Sequence, residues 1–307
     1  MGFERFDLAA FEAGTTGAEM LDRICRETGF LVLENHGVPE DVINAIWASV
    51  QAFFGQSSEA KSQVRAPHPG YPYGYLGPDV EALAKSKGEA TPPDLKESFN
   101  GGPLSVPPGA SDEALAFCYQ PTIWPDMDGF REAWEAYYTA MEDLAVRVMR
   151  AFAHALELPG EHFTPFIDAP ISALRALHYP ATVGKPLDKQ HRAGAHTDYG
   201  SLTILLPQPG RKGLQIMSPD GGWIDVPAPE GCFVINIGDL MARWTADRWV
   251  STLHRVVAKP DQPERFSLAF FHQPNWDAEI IPLDGSDTYP PVCSGPYLME
   301  KFRKAAG

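Results

Sequence analysis

Basic residues are scarce in this chain. Lys and Arg number 25 against 40 Asp and Glu, a formal charge of −15 over 307 residues. Such a surface repels a phosphate backbone and an anionic bilayer, so neither nucleic acid nor membrane is expected as a partner. A small anionic ligand stays allowed, because one buried Arg overrides the mean charge locally. Cysteine is sparse too: Cys25, Cys118, Cys232 and Cys293 form no C-x-x-C pair, which excludes a zinc ribbon and a dithiol redox motif. Four reduced thiols are expected. No apolar run is long enough to span a bilayer, no repeat of fixed period recurs, and no low-complexity tract interrupts the chain. Met1 to Phe6 runs into acidic residues with no apolar signal stretch, and Phe6 stands where a myristoylation motif needs Ser or Thr. A soluble, cytoplasmic protein is the expectation, a monomer or a weak homo-oligomer.

What is present is an ordinary globular composition, 44 % hydrophobic and 21 % charged. The first half reads mainly as helices. Thr16-Gly17-Ala18-Glu19 has the form of a capping box, followed by Leu21, Ile24 and Cys25 at helical spacing and a stop at Gly29. Phe30–Leu33 reads as a short strand, and Pro39 opens a helix with Val42, Ile43, Ile46, Val50 and Phe53 on one face. From Ala66 to Pro125 the chain is rich in Pro, Gly and Tyr and keeps no period, which predicts a covering loop, with Tyr71, Tyr73 and Tyr75 expected either as a lid or as residues that pack the loop down. Asp128 to Leu158 carries the strongest helical stripe, from Phe130 and Trp134 through to Val148 and Phe152.

After Ile171 the period becomes that of strands parted by Gly and Pro turns. They are expected at Ala173–Tyr179, Leu202–Leu206, Gly213–Met217, Trp223–Val226, Cys232–Ile237, Leu253–Val257 and Phe266–His272. Seven short strands at this spacing predict a mainly β sandwich or barrel with flanking helices, its helical N-terminal half wrapped on one catalytic core.

Three residue sets carry chemistry. His196-Thr197-Asp198 lies at the start of a predicted strand, where side chains two apart share a face. Alone, H-x-D is an ordinary hydrogen-bonded turn more often than a site. With His254 on another predicted strand, two imidazoles and one carboxylate make a facial iron site with open positions. Arg265-Phe266-Ser267 follows, a guanidinium fork and a hydroxyl on one strand face, shaped to hold a carboxylate. His36, His68, His154 and His162 have bland readings at turns, loops and helix ends, and His178 alternates away from Tyr179 on its strand.

In this order the sets resemble the isopenicillin N synthase-like branch of the Fe(II)/2-oxoglutarate-dependent dioxygenases. The resemblance covers nearly the whole chain: Gly29 to Val38, Lys96-Glu97-Ser98-Phe99 and Trp124-Pro125 in the first half, then His196-Thr197-Asp198, Gly213-Leu214-Gln215, Trp223, Asn236-Ile237-Gly238-Asp239, Ser251 through Val256, and Arg265-Phe266-Ser267. It implies a double-stranded β-helix, or jelly roll, over 171–275, preceded by a helix-rich region 1–170 and followed by a tail 276–307, all one catalytic domain. It implies Fe(II) on His196, Asp198 and His254, with 2-oxoglutarate and O2 as cosubstrates. The distal carboxylate of 2-oxoglutarate would meet Arg265 and Ser267, and Tyr179 would hydrogen-bond the same molecule. Relatives often carry Asn two residues before this tyrosine; here Leu177 removes one polar contact.

The implied reaction decarboxylates 2-oxoglutarate to succinate and CO2 and spends the remaining oxidising power on a C–H bond of a small molecule. Hydroxylation, desaturation and ring closure all remain open. For the substrate, Arg175 alternates onto the face of Leu177 and Tyr179 and is expected either to await an acidic group in the cavity or to pair with a surface acid. Phe99 and Phe271 are expected either in an apolar wall of the pocket or in the core. Three rivals stand beside the main reading: an iron oxidase of the same fold that uses no 2-oxoglutarate, a zinc hydrolase in the same facial site, and a jelly-roll ligand-binding protein without turnover.

Overall fold

The computed structural model describes residues 3–14, 17–78 and 80–306. Its strands are β1 (Arg5–Asp7), β2 (Phe30–Glu34), β3 (Gly74–Leu76), β4 (Glu97–Gly101), β5 (Ala173–Tyr179), β6 (His191–His196) and β7 (Leu202–Pro207), then β8 (Leu214–Met217), β9 (Trp223–Asp225), β10 (Phe233–Ile237), β11 (His254–Val257), β12 (Arg265–His272), β13 (Glu279–Ile280) and β14 (Val292–Cys293). Two sheets face each other as a jelly roll. The larger has the order β1-β2-β10-β7-β12-β5-β4-β3, and the smaller β6-β11-β8-β9. Strands from the N-terminal half therefore extend both edges of the large sheet. Exposed edges of the β10-β7-β12-β5 core are thereby paired rather than left as templates for aggregation.

The helices are α1 (Leu8–Glu12), α2 (Ala18–Glu27), α3 (Glu40–Phe54), α4 (Ser58–Ser62), α5 (Asp112–Phe117), α6 (Phe130–Ala155), α7 (Asp239–Trp244) and α8 (Ser294–Ala306). The α6 stripe, Trp134, Tyr137, Met141, Leu144, Val148 and Phe152, is buried against the outer face of the large sheet together with α2 and α3. A second apolar cluster lies between the sheets and includes Phe30, Leu177, Tyr179, Ile216, Val234, Val256 and Ala269. At about 25 cal/mol per Å² of apolar surface removed from water, burial on both faces makes the large sheet the main source of stability. No described helix is long and apolar enough to cross a membrane.

Several expectations change. The helix after the capping box begins at Ala18 with Gly17 as its cap, which makes no side-chain cap bond, and Thr16 lies outside the described residues. The stretch from Ala66 to Pro125 is not only loop: β3 and β4 lie in it and pair into the large sheet, and α5 follows. Nor do its tyrosines form a lid. Tyr73 and Tyr75 are buried, their hydroxyls donating to the Cys118 carbonyl and the Glu97 carboxylate, and Tyr71 donates to the Pro121 carbonyl. His196, expected at the start of a strand, is instead the last residue of β6.

Candidate metal centre

His196 ends β6 and His254 opens β11, and the two residues are paired directly across these antiparallel strands. Their ring centres stand 4.3 Å apart. Asp198 arrives from the turn after β6, not from a continued strand, so it is the turn rather than strand alternation that brings it onto the histidines. Its backbone carbonyl accepts the Asp239 N–H at 2.7 Å. Gly238 makes that approach feasible, since a Cβ there would lie 2.1 Å from the Gly200 carbonyl oxygen.

Side-chain orientation is fixed atom by atom. Each imidazole has Nδ1 against a backbone carbonyl, His196 on Gly194 at 2.7 Å and His254 on Thr252 at 3.0 Å. A carbonyl only accepts, so Nδ1 carries the proton and Nε2 keeps a free lone pair. Oδ2 of Asp198 accepts from Thr203 Oγ1 at 2.5 Å and from Asn236 Nδ2 at 2.8 Å. Oδ1 is left facing the two Nε2 atoms, 3.6 Å from that of His254 and 3.8 Å from that of His196. All three ligand atoms lie within 4.8 Å of one another. Burial first, and then the proximity of the second imidazole, push the His196 pKa down to about 3, which favours the neutral ligand form. Burial alone would raise the Asp198 pKa, but the neighbouring histidines and the two donors on Oδ2 hold it below the ordinary value. Two neutral imidazoles and one carboxylate oxygen suit Fe(II), and three protein ligands leave positions for a cosubstrate.

Arg265, Ser267, Ala269 and Phe271 alternate onto the inner face of β12, and Tyr179 lies directly opposite Arg265. The Arg265 guanidinium sits over the Tyr179 ring, 4.9 Å from its centre. Arg265 and Ser267 are both 2 % exposed, yet Nε and Nη1 of the arginine and Oγ of the serine have no hydrogen-bond partner among the described residues. Buried donors in that state are costly unless something completes them, and a carboxylate would.

The cover over this end is the segment 80–96 rather than the tyrosines. Its 3-10 turn, Leu83–Lys87, packs on β6 so closely that a Cβ on Gly194 would meet the Ala84 nitrogen at 2.7 Å. Asp94 clamps it by accepting from the Gly194 N–H at 2.9 Å and the Leu83 N–H at 3.0 Å, and Lys87 donates to Thr197 at 2.7 Å. Glu81, from the same segment, pairs with Arg175 at 3.2 Å and with buried Lys96 at 3.0 Å. Burial would raise the Glu81 pKa, but the charges of Arg175 and Lys96 bring it down to about 2.

The structure thus revises the expected substrate contacts. Arg175 does lie on the face of Leu177 and Tyr179, but it does not await an anion: Glu81 and Asn100, the latter at 2.5 Å from its Nε, already hold it. Phe99 points the other way. Opposite Ala176 on β4, it is fully buried against Phe53, Phe130 and Trp134, because Ser98 and Asn100 take the inner face. Phe271 packs on the cluster between the sheets. Sequence reasoning missed Thr203, Asn236, Glu81, Asp94 and Asn100. Asn236 stood inside a quoted motif, and a polar residue within an otherwise apolar strand was its signal.

Comparison with known proteins agrees with this geometry. Residues 170–274 match the 2OG-Fe(II) oxygenase superfamily, and residues 4–127 match the N-terminal region described for the non-haem dioxygenase in morphine synthesis. Validamycin A dioxygenase of Streptomyces hygroscopicus subsp. limoneus is 33 % identical, over 92 % of this chain and 80 % of its own length. A 2-oxoglutarate-dependent dioxygenase of Aspergillus niger is 35 % identical over 91 % of this chain and 83 % of its own. Among solved structures, a full-length Neurospora crassa protein in complex with α-ketoglutarate and thymine superposes with a TM-score of 0.83 at 32 % identity, covering 99 % of this chain and 96 % of that one. The chain belongs to the 2OG-Fe(II) oxygenase superfamily and is an Fe(II)- and 2-oxoglutarate-dependent dioxygenase.

Proposed function

We propose that the enzyme hydroxylates an unactivated C–H bond of a small, neutral, polar molecule held between the metal and the 80–96 segment, and that the whole chain works as one soluble catalytic unit in the cytoplasm. His196, Asp198 and His254 hold the iron. Bound there, iron with 2-oxoglutarate and dioxygen supplies the oxidation, at the cost of decarboxylating the keto acid to succinate. Arg265 and Ser267 take the distal carboxylate of 2-oxoglutarate, with Tyr179 packed against the guanidinium and lining the same space.

The observation that carries the cosubstrate assignment is the set of three orphaned buried donors on one face of β12, two from Arg265 and one from Ser267. For the substrate, the argument is charge balance. Arg175 and Lys96 are answered by Glu81 and Asp94, so these residues offer hydrogen bonds but no free charge. Phe271 supplies an apolar surface beside them. A neighbour in complex with thymine, an uncharged polar ring, supports this class. The test is a panel of neutral and acidic small molecules, incubated with Fe(II), 2-oxoglutarate and air and read by mass spectrometry. The expected result is a gain of one oxygen on a neutral compound, with succinate formed in step. Loss of two hydrogens would replace hydroxylation by desaturation, and product without succinate would overturn the cosubstrate role.

A further inference from the structure

A solvent-connected cavity of about 220 Å³ has an unusual lining for so acidic a chain. Arg192, Arg211, Lys212 and Arg265 line it together with Gln262, and no Asp or Glu among the described residues does. Two of these cations are deeply buried: Arg192 and Arg265 are each 2 % exposed. Neither meets a carboxylate among the described residues. Arg192 donates from Nη2 to the Pro180 and Pro263 carbonyls at 2.9 and 2.8 Å, while its Nε has no partner among the described residues. Arg211 and Lys212 form no side-chain hydrogen bond or ion pair among the described residues. The nearest acids in sequence are engaged elsewhere, Asp261 on the Gly184 N–H and Glu264 on His178.

Three guanidiniums are therefore within electrostatic reach of one another with no counter-charge among the described residues. Burial lowers the Arg192 pKa and the Arg265 charge lowers it further; Tyr179 opposes them, and Arg211 adds a smaller lowering effect. Buried cations are retained when an anion completes them, because desolvation without pairing is strongly unfavourable. One 2-oxoglutarate carboxylate answers Arg265 alone. Buried Arg192 remains, with half-buried Arg211 and exposed Lys212 at the mouth. At about 30 Å³ per water in the liquid, the cavity holds an anion of several heavy atoms.

We propose that this cavity is a second anion site, which takes a phosphate-type oxyanion, free or as the end group of a small phosphomonoester, beside the cosubstrate's distal carboxylate. Its effect on 2-oxoglutarate rests on the reading of Arg265 given above; its binding of the anion does not. Two anions drawing on one guanidinium weaken each other by equal factors, so the coupling is finite and levels off.

The test titrates inorganic phosphate into the full chain, metal-loaded and anaerobic, at constant ionic strength set with chloride, and follows heat and thermal shift. Saturable binding is expected, and replacing Arg211→Gln together with Lys212→Gln should weaken it by about tenfold or more while both proteins keep the same 2-oxoglutarate affinity in phosphate-free buffer. Glycerol phosphate tested alongside separates the sources: equal binding means a phosphomonoester fits, and its exclusion means the free ion is the ligand. Phosphate that acts no differently from chloride, or equally on the double variant, overturns the proposal. So does an apparent Kd for 2-oxoglutarate that rises without limit as phosphate is added, because phosphate is then in the cosubstrate's own place. A normal 2-oxoglutarate affinity in Arg265→Lys would remove the cosubstrate reading and leave the phosphate result standing.

Discussion

The Asn236 amide donates to Oδ2 of Asp198 at 2.8 Å, and this bond decides which carboxylate oxygen is free for metal. Thr203 donates to the same oxygen. A carboxylate so held offers Oδ1 alone and cannot swing to chelate through both oxygens. Partners that orient a ligand in this way typically contribute about 10–100-fold in metal affinity. Asn236→Leu should therefore weaken Fe(II) binding by about that factor, and Thr203→Val should do the same while Thr203→Ser should not. Metal titration of the purified variants checks this. Unchanged affinity in both Asn236→Leu and Thr203→Val would mean that Asp198 needs no orienting bond.

The ligands themselves make a simpler case. His196→Ala or His254→Ala removes one of three donors, and turnover should fall to background while the circular dichroism spectrum is unchanged. The fold stands on two apolar clusters that these residues do not hold together. Substantial activity in either variant would place the metal elsewhere.

Arg265→Lys keeps the charge and loses the planar fork. Truncating one member of a buried charge pair costs on the order of 2–5 kcal/mol, so the KM for 2-oxoglutarate should rise about thirtyfold or more. Iron affinity should stay the same. If the variant handles 2-oxoglutarate normally and loses only its main substrate, Arg265 holds the substrate and the cosubstrate lies elsewhere.

The His196–Asp198 and Arg265–Ser267 pairs were legible in the sequence because each pattern is local, whereas Thr203 and Asn236 were not. Arg265 and Ser267 are two apart on a strand, and period two puts them on one face whatever else the fold does. The conversion of His196 and Asp198 into a site needed His254, which their spacing alone could not specify. Other contacts were invisible for a physical reason. Glu81 reaches Arg175 across 94 residues of chain from a segment with no period. On β4 the usual alternation is blurred, since Lys96, Ser98 and Asn100 share one face and Glu97 and Phe99 the other, leaving polar residues on both. Which face met the helices could be decided only once α3 and α6 were in place, and Phe99 follows them.

Glu97 on that outer face gives a prediction about stability. Its carboxylate accepts from Lys61 at 2.8 Å, from the Tyr75 hydroxyl and from His178 at 2.7 Å, tying α4, β3, β4 and β5 together. Burial would raise its pKa, but these three partners bring it from an ordinary 4.5 down to about 2. A depressed carboxylate binds fewer protons folded than unfolded, so its contribution is complete above pH 4.5 and fades as pH falls toward 2. Glu97→Gln also leaves the Lys61 ammonium buried without its partner, and should cost on the order of 3 kcal/mol at neutral pH. The gap between wild type and variant should close on acidification, read as Tm against pH. A gap that is constant over this range would mean the carboxylate's charge contributes nothing.

The Arg175–Glu81 pair bears on what the enzyme accepts. With Glu81 ionised and 3.2 Å from the guanidinium, Arg175 presents no net charge to an incoming molecule, and an acidic group would meet the Glu81 carboxylate as well. Glu81→Gln keeps the size of the side chain and a carbonyl for Arg175 and removes the competing charge. The guanidinium then becomes available for a charge-assisted bond. Selectivity is a difference of affinities, and removing a repulsive element shifts it as surely as adding a contact. For a matched pair of substrates, one neutral and one carrying a carboxylate, the ratio of kcat/KM should move toward the acid by about tenfold in Glu81→Gln, or roughly 1.4 kcal/mol. Arg175→Met should erase that gain when combined with Glu81→Gln. If Glu81→Gln lowers kcat/KM for both substrates equally and leaves their ratio fixed, Glu81 serves only to hold the 80–96 segment closed, and selectivity has to be sought at Phe271 and Asn100 instead.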